Sequence, residues 1–181
     1  TLLVSQLARQ HRTVMLSGDG ADELFWGYYG RFASVLKCAD AFATPHWQRS
    51  MRWGARKLFG AKVSIFGYLQ PTIGDWYRTK HTRIYEPWLK RIFPDMPPWP
   101  KSCTLYDYRG WEADQTAQWL RWNEFTGYLT MVLMKVDRAS MYHSLEVRVP
   151  LLDREVIAVA AQIDWRDCMD MEQGLGKMPL R

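Results

Sequence analysis

The chain has 181 residues, of which 48% are hydrophobic and 24% charged, and it carries a net charge of +5. This composition is typical of a globular protein and excludes a disordered or fibrous chain, and the length allows the core of one domain. The sequence contains no basic-then-apolar leader and no run of about 18 apolar residues, so we expect neither a signal peptide nor a membrane span in this segment.

The first predicted elements are a helix, a buried strand and a long interrupted helix. Apolar residues at helical spacing cover residues 2–10, and an apolar run at 13–16 is typical of a buried parallel strand. Together they indicate a piece of an α/β repeat. A helical pattern then extends over 21–43, where Gly27 and Gly30 interrupt it and indicate close packing or the approach of a ligand.

The loop between this strand and this helix, residues 17–23, combines small and acidic residues. Asp19 lies between two glycines, and Asp22 and Glu23 follow in the first helical turn. Unpaired amides at a helix N-terminus attract anions, and carboxylates there can hold a hard cation that bridges to phosphate oxygens. Helix capping is an alternative explanation for each acid. Because capping does not explain the two flanking glycines, the loop indicates a metal–nucleotide site.

Residues 44–110 predict helical pieces separated by glycines and prolines, with a proline-rich loop at 94–100. Arginine, lysine and tryptophan interleave over 47–57, a mixture that can bind nucleic acid or anionic lipid. An amphipathic helix whose arginine stems cover an apolar surface explains it better, because the charge is modest and dispersed. We therefore expect no nucleic-acid and no membrane partner. A long helix is predicted over 112–135, with a wide apolar stripe typical of core.

Three polar residues after this helix have two readings each. Glu146 and Arg148 alternate with valines in an extended stretch, where they can form an ion pair or contact a ligand. Asp153 directly precedes a helical pattern over 154–162, which favours an N-cap over catalysis.

The cysteines and histidines are scattered along the chain. Cys38, Cys103 and Cys168 form no CxxC pair, which favours free thiols and a reducing, cytoplasmic compartment. The four histidines have no paired spacing, so the sequence gives a zinc site little support.

Three blocks of sequence carry a family resemblance. They are LSGDGADELFWGY at 16–28, KVDRASMYHSLEVRVPLLD at 135–153 and GLGKMPLR at 174–181. In this order they closely resemble signatures of the glutamine-hydrolysing asparagine synthetases. The resemblance implies that residues 1–181 are the C-terminal part of the synthetase domain, an ATP-pyrophosphatase (adenine nucleotide alpha-hydrolase-like) domain of α/β class. We expect this part to be mostly helical, with at least one buried parallel strand.

The resemblance also implies a ligase reaction. In this family a parallel sheet binds ATP, a carboxylate substrate is activated as an acyl-adenylate, and pyrophosphate leaves. Ammonia from a separate glutaminase domain then displaces AMP to give an amide. Aspartate is the acceptor that the family favours, while sugar or peptide carboxylates stay open. The implied cofactors are ATP and Mg²⁺, and a homodimer is also open.

The resemblance assigns roles to five residues. Asp22 matches the magnesium ligand, and Ser17 and Gly18 match positions that contact the nucleotide. Asp19 stands where the family has an acid important for forming and consuming the adenylate, although many members have Glu there. Lys177 matches a lysine that steadies pyrophosphate and the developing negative charge; outside this context it would be an ordinary surface lysine.

Two expected parts of the enzyme are not in these residues. The pyrophosphate-binding pattern Ser-Gly-Gly-x-Asp-Ser does not occur, and neither does an N-terminal cysteine nucleophile for glutamine hydrolysis. We therefore expect a fragment that is inactive by itself. A non-catalytic helical binding module that keeps the synthetase fold is the alternative; the three acids of the loop together with Lys177 favour the enzyme.

Overall fold

The computed structural model describes residues 1–58, 70–82, 86–97 and 104–181. The chain forms two compact units. The first unit comprises Thr1–Tyr29 and Leu120–Arg181, and the second comprises Gly30–Trp119.

The described residues are mostly helical, with four short strands. The α-helices are α1 (Leu2–Arg9), α2 (Ala21–Leu24), α3 (Tyr29–Leu36), α4 (His46–Leu58), α5 (Ile73–His81), α6 (Glu86–Ile92), α7 (Ala113–Asn123), α8 (Leu129–Met141), α9 (Arg154–Gln162) and α10 (Trp165–Cys168). The strands are β1 (Val14–Leu16), β2 (Glu146–Arg148), β3 (Met169–Asp170) and β4 (Leu175–Gly176). A π-helical segment lies at Glu124–Tyr128, and 3₁₀-helices lie at Ala39–Ala43, Pro150–Leu152 and Met178–Leu180.

The predicted parallel strand is confirmed, but the prediction that this strand is buried is wrong. β1 pairs in parallel with β2, with Val14 opposite Glu146 and Leu16 opposite Arg148. Every residue of β1 is exposed, and Leu16 has 70% of its surface accessible. The reason is that, in the part of the chain that the structure describes, β1 pairs with β2 alone. A strand in a two-stranded sheet lacks the second neighbour and the helix layers that bury a central parallel strand.

The helix predicted over 21–43 is divided into α2, α3 and a 3₁₀-helix. The first break falls at Trp26, whose φ of 63° is left-handed and cannot continue a helix. Close packing is confirmed at Gly27, where a Cβ atom would overlap the Asp22 carboxylate. At Gly30 a Cβ would meet no atom of the described residues within 4 Å, so close packing is wrong there, and the approach of a ligand stays a prediction.

The helix predicted over 112–135 is confirmed and continues to Met141 through α7, the π-helical segment and α8. Its apolar stripe is not all core. Leu120 and Leu129 are buried, whereas Trp122 is 64% exposed. A π-helical turn contains an extra residue, so it rotates the faces before and after it relative to a regular α-helical pattern. The polar side chain of Glu124 is buried there instead.

The core of the first unit holds α2 against α9. Its buried members are Leu24, Phe25 and Ala160, and half-buried neighbours pack around them: Phe125, Leu152, Val156, Ile157 and Ile163. α2 contacts both α9 and the π-helical segment. The short helix that carries Asp22 and Glu23 therefore rests on two larger elements.

The second unit contains the helical pieces predicted over 44–110. α4 confirms the helix predicted over 47–57, and its Arg49 is buried and donates to the carbonyls of Thr44, Gln70 and Pro71. Residues 94–97 form a loop as predicted, while 98–100 lie outside the described residues.

Two of the three predicted free cysteines can be placed. Cys38 and Cys168 are free thiols, and Cys103 lies outside the described residues. Burial raises the pKa of the Cys168 thiol to about 11. Among the helices described, none has the length and apolar character needed to cross a membrane.

Candidate functional site

The loop after β1 has the predicted strand–loop–helix geometry. The Ser17 amide continues the pairing beyond β1 by donating to the Arg148 carbonyl (N–O 2.9 Å). Gly20 then turns the chain with a φ of 89°, and a Cβ atom there would overlap the side chain of Leu152. Only glycine meets both demands without strain, so this turn fixes where α2 begins.

Asp19 and Ser17 are joined within this loop. The Ser17 hydroxyl donates to Asp19 Oδ2 at 2.6 Å, and both residues are half-buried. Gly18 between them is exposed, and a Cβ atom there would meet nothing within 4 Å among the described residues. The packing of these residues therefore does not demand a glycine at position 18. The open space beside Gly18 leaves room for a ligand to approach the backbone.

Asp22 and Lys177 are brought together from opposite ends of the chain. Lys177 Nζ lies 2.8 Å from Asp22 Oδ1, and each side chain is 35% exposed. Lys177 follows the antiparallel hairpin of β3 and β4, and its amide donates to the Phe25 carbonyl at 2.9 Å. The preceding Gly176 lies so close to Trp26 that a Cβ atom would overlap the Trp26 carbonyl oxygen. The hairpin is thus held against the residues that follow α2.

Glu23 corrects the expectation of three acids gathered toward a ligand. Its side chain is buried, with 2% of its surface exposed, and Glu23 Oε1 accepts a hydrogen bond from the Tyr28 hydroxyl at 2.7 Å. Burial is the main cause that raises the pKa of Glu23 above its usual value, and the charges of Asp22 and Glu124 add to it. Adjacent helical residues point about 100° apart, so Asp22 can face outward while Glu23 faces the core.

The second block confirms two structural readings. Arg148 Nε lies 2.7 Å from Glu146 Oε1 in an exposed ion pair. Asp153 caps α9, since its Oδ1 accepts from the Glu155 amide at 2.8 Å. Neither observation gives these residues a chemical role.

Each motif block holds one non-glycine residue with a left-handed backbone: Trp26, Ser144 and Lys177, with φ of 63°, 54° and 58°. Such conformations cost about 1–3 kcal/mol and are concentrated at functional sites. Sequence reasoning assigned no role to Trp26 or Tyr28, although both lie inside the first block. Trp26 stands next to Gly27, which the helical pattern had already marked as a break.

The donor side chains of the described residues limit how a metal could be held. The described residues contain no group of three or more His, Cys, Asp or Glu side chains that could hold one. Mg²⁺ is usually bound by one or two carboxylates together with substrate phosphates and waters. The half-exposed Asp22 carboxylate fits such a shared site, whereas the buried Glu23 does not.

Comparison with known proteins defines the family. The model of the asparagine synthase family matches residues 1–181. The chain is 34% identical over 170 residues to a protein provisionally named as a glutamine-hydrolyzing asparagine synthetase in Mycobacterium tuberculosis and Mycobacterium bovis, covering 88% of this chain and 25% of that protein. It is 27% identical over 191 residues to glutamine-hydrolyzing asparagine synthetase 1 of Bacillus subtilis, covering 98% of this chain and 29% of that protein.

The chain therefore belongs to the asparagine synthase family. It spans between 25% and 29% of the length of the relatives it matches. No solved structure gives a significant match.

Proposed function

We propose that the full-length protein containing this chain uses ATP to activate a carboxylate as an acyl-adenylate and then amidates it with ammonia. Aspartate is the proposed acceptor, and asparagine the product. The observation that carries this proposal is the pairing of Asp22 with Lys177 beside the Ser17–Asp19 loop, in a chain of the asparagine synthase family.

The proposed roles divide the charged and polar groups of the site between the nucleotide and the metal. Ser17 and the exposed backbone of Gly18 are proposed to contact the nucleotide. The Lys177 ammonium is proposed to steady the negative charge that builds up on departing pyrophosphate. Asp22 is the proposed ligand of Mg²⁺, which when bound neutralises charge on the phosphate oxygens. Without Mg²⁺, Lys177 supplies the positive charge next to the Asp22 carboxylate.

Asp19 is the proposed acid–base residue of the loop. The attack of ammonia on an adenylate carbonyl releases a proton, and a carboxylate within reach can accept it. In the structure Asp19 accepts a hydrogen bond from the Ser17 hydroxyl. A hydroxyl rotates freely, so Ser17 can give this bond to a ligand and leave Asp19 Oδ2 available.

The remaining partners follow from the family. Ammonia is proposed to come from a glutaminase domain, as the names of the relatives suggest by describing glutamine hydrolysis. A homodimer and a cytoplasmic location stay predictions.

An exchange experiment tests this function. The full-length protein is incubated with ATP, Mg²⁺ and isotopically labelled pyrophosphate, with and without aspartate. We expect label to enter ATP only when the acceptor is present, because an acyl-adenylate forms reversibly. When ammonia is then added, its attack on the adenylate carbonyl releases AMP, and heavy-oxygen label in the aspartate carboxylate should appear in that AMP. Formation of ADP and phosphate without exchange would contradict the proposal, because it would indicate an acyl phosphate.

A non-catalytic binding module is the second candidate. The strained backbone of Lys177 and its ion pair with Asp22 favour the enzyme, because a purely structural module gains nothing from that strain. Binding of ATP without exchange under any acceptor would favour the module.

A further inference from the structure

The segment Phe25–Tyr28, here called the return loop, folds the chain back onto α2. The Gly27 amide donates to the Asp22 carbonyl at 2.9 Å. Gly27 lies so close to the Asp22 carboxylate that a Cβ atom would overlap Oδ1. The return loop therefore forms the surface against which the Asp22 side chain rests.

The same loop also holds the Lys177 side of the ion pair. The Phe25 carbonyl accepts from the Lys177 amide, and the Trp26 carbonyl lies directly against Gly176. Asp22 and Lys177 thus share one support. Lys177 Nζ and Asp22 Oδ1 are 2.8 Å apart in this structure, and because both sides of the pair rest on the return loop, we expect a shift of the loop to change this distance.

A hydrogen bond at the end of the return loop fixes it to α2. Tyr28 donates its hydroxyl to Glu23 Oε1 at 2.7 Å, and Glu23 is 2% exposed. The Tyr28 ring meets the Tyr128 ring edge to face, with centroids 5.6 Å apart. A bond to a buried acceptor has little freedom to move, so it restrains the chain from Glu23 to Tyr28, within which Trp26 has a left-handed backbone.

We propose that Tyr28 and Glu23 are positioning residues, whose hydrogen bond sets the distance between Asp22 and Lys177 through the return loop. In this role the two residues act through the return loop and not by contact with substrate. The expected effect on catalysis rests on the proposed function. The expected effect on the contact between Asp22 and Lys177 does not depend on that function.

Two measurements on the full-length protein test it. The first is the rate at which formaldehyde and a borohydride reductant methylate Lys177, relative to the exposed Lys37, read by peptide mass spectrometry. Lys177 must leave Asp22 to react, so Tyr28→Phe should speed its labelling roughly threefold, as expected when an ion pair of this exposure is loosened. The second is pyrophosphate release: kcat should fall about tenfold to a hundredfold while KM for ATP changes far less, because the charges are misplaced and not removed.

The control and rescue variants separate positioning from folding. Tyr142→Phe is the matched control, because Tyr142 is 77% exposed, and it should leave both measurements unchanged. Glu23→Gln keeps an oxygen acceptor for Tyr28 and should remain close to the parent, whereas Glu23→Leu should behave like Tyr28→Phe. If Tyr28→Phe does not fold, Glu23→Asp takes its place, because the shorter acid withdraws the acceptor.

The labelling result decides the proposal. Faster labelling of Lys177 in Tyr28→Phe or its replacement, with Glu23→Gln near the parent, supports it. Labelling that equals the parent's, or that rises as much in Glu23→Gln as in Glu23→Leu, overturns it. If the parent protein releases no pyrophosphate, the proposed function fails while the labelling result still tests the positioning role.

Discussion

The two compact units differ in backbone strain and in the surroundings of a charged side chain. The first unit contains the left-handed residues Trp26, Ser144 and Lys177 and the ion pair of Lys177 with Asp22. In the described part of the second unit no non-glycine residue has a positive φ, and the terminal nitrogens of the buried Arg49 donate to three backbone carbonyls. The comparison teaches that a buried charge can serve packing. Charge combined with strain is the better indicator of a site.

The largest expected effect is on the first unit. Asp22→Asn keeps the shape of the side chain but removes the charge that pairs with Lys177 and would bind Mg²⁺. We expect pyrophosphate release by the full-length protein to fall about a thousandfold. Asp40→Asn, an exposed acid of the second unit, is the control and should stay near the parent. If Asp22→Asn releases pyrophosphate at a near-normal rate and still depends on magnesium, Asp22 is not part of the site, and the first unit is no longer distinguished from the second by a catalytic charge.

The second unit should lose stability and not chemistry. Ile73 is fully buried in α5, so Ile73→Ala should lower the free energy of unfolding by about 2–5 kcal/mol, as measured by denaturant titration. Activity per folded molecule should change less than about twofold. Ile92→Ala, at a position 58% exposed, should cost less than about 0.5 kcal/mol. A large loss of activity in folded Ile73→Ala protein would show that the second unit also contributes to the site.

Asp19→Asn sharpens the comparison inside the first unit. The side chain is half-buried in a loop and bonds to Ser17, so its removal disturbs little packing. We expect amide formation to fall about a hundredfold, which corresponds to roughly 2.7 kcal/mol of transition-state free energy, with a melting temperature within about 3 °C of the parent. Unchanged specific activity with a much lower melting temperature would assign Asp19 to structure.

The smallest effect is expected at an acid that lies in a motif block but outside the site. Asp153 caps α9 through the Glu155 amide, so Asp153→Ala should cost about 1 kcal/mol of unfolding free energy and leave pyrophosphate release unchanged. Asp164→Ala is the matched control, because Asp164 caps α10 in the same way through the Arg166 amide. A loss of activity confined to Asp153→Ala would extend the site to the second block.

Local patterns were enough to predict several elements. The apolar run before residue 17 and the glycines around Asp19 predicted the strand, the turn and the start of α2, because such preferences act between near neighbours in sequence. The N-cap at Asp153 and the ion pair of Glu146 with Arg148 are local for the same reason. The three motif blocks added the family, which the comparisons confirm.

Tertiary structure decided the rest of the candidate site. The sequence determined that Asp22 and Lys177 are present, but only the packing of the β3–β4 hairpin against Phe25 and Trp26 places them in contact. Glu23 was indistinguishable from Asp22 by spacing, and only the core beneath α2 turned it inward to Tyr28. A sequence pattern shows which roles the chemistry of a side chain allows. Segments that are distant in sequence determine how deeply that side chain is buried and which partners it contacts, and burial and partners decide which role it has.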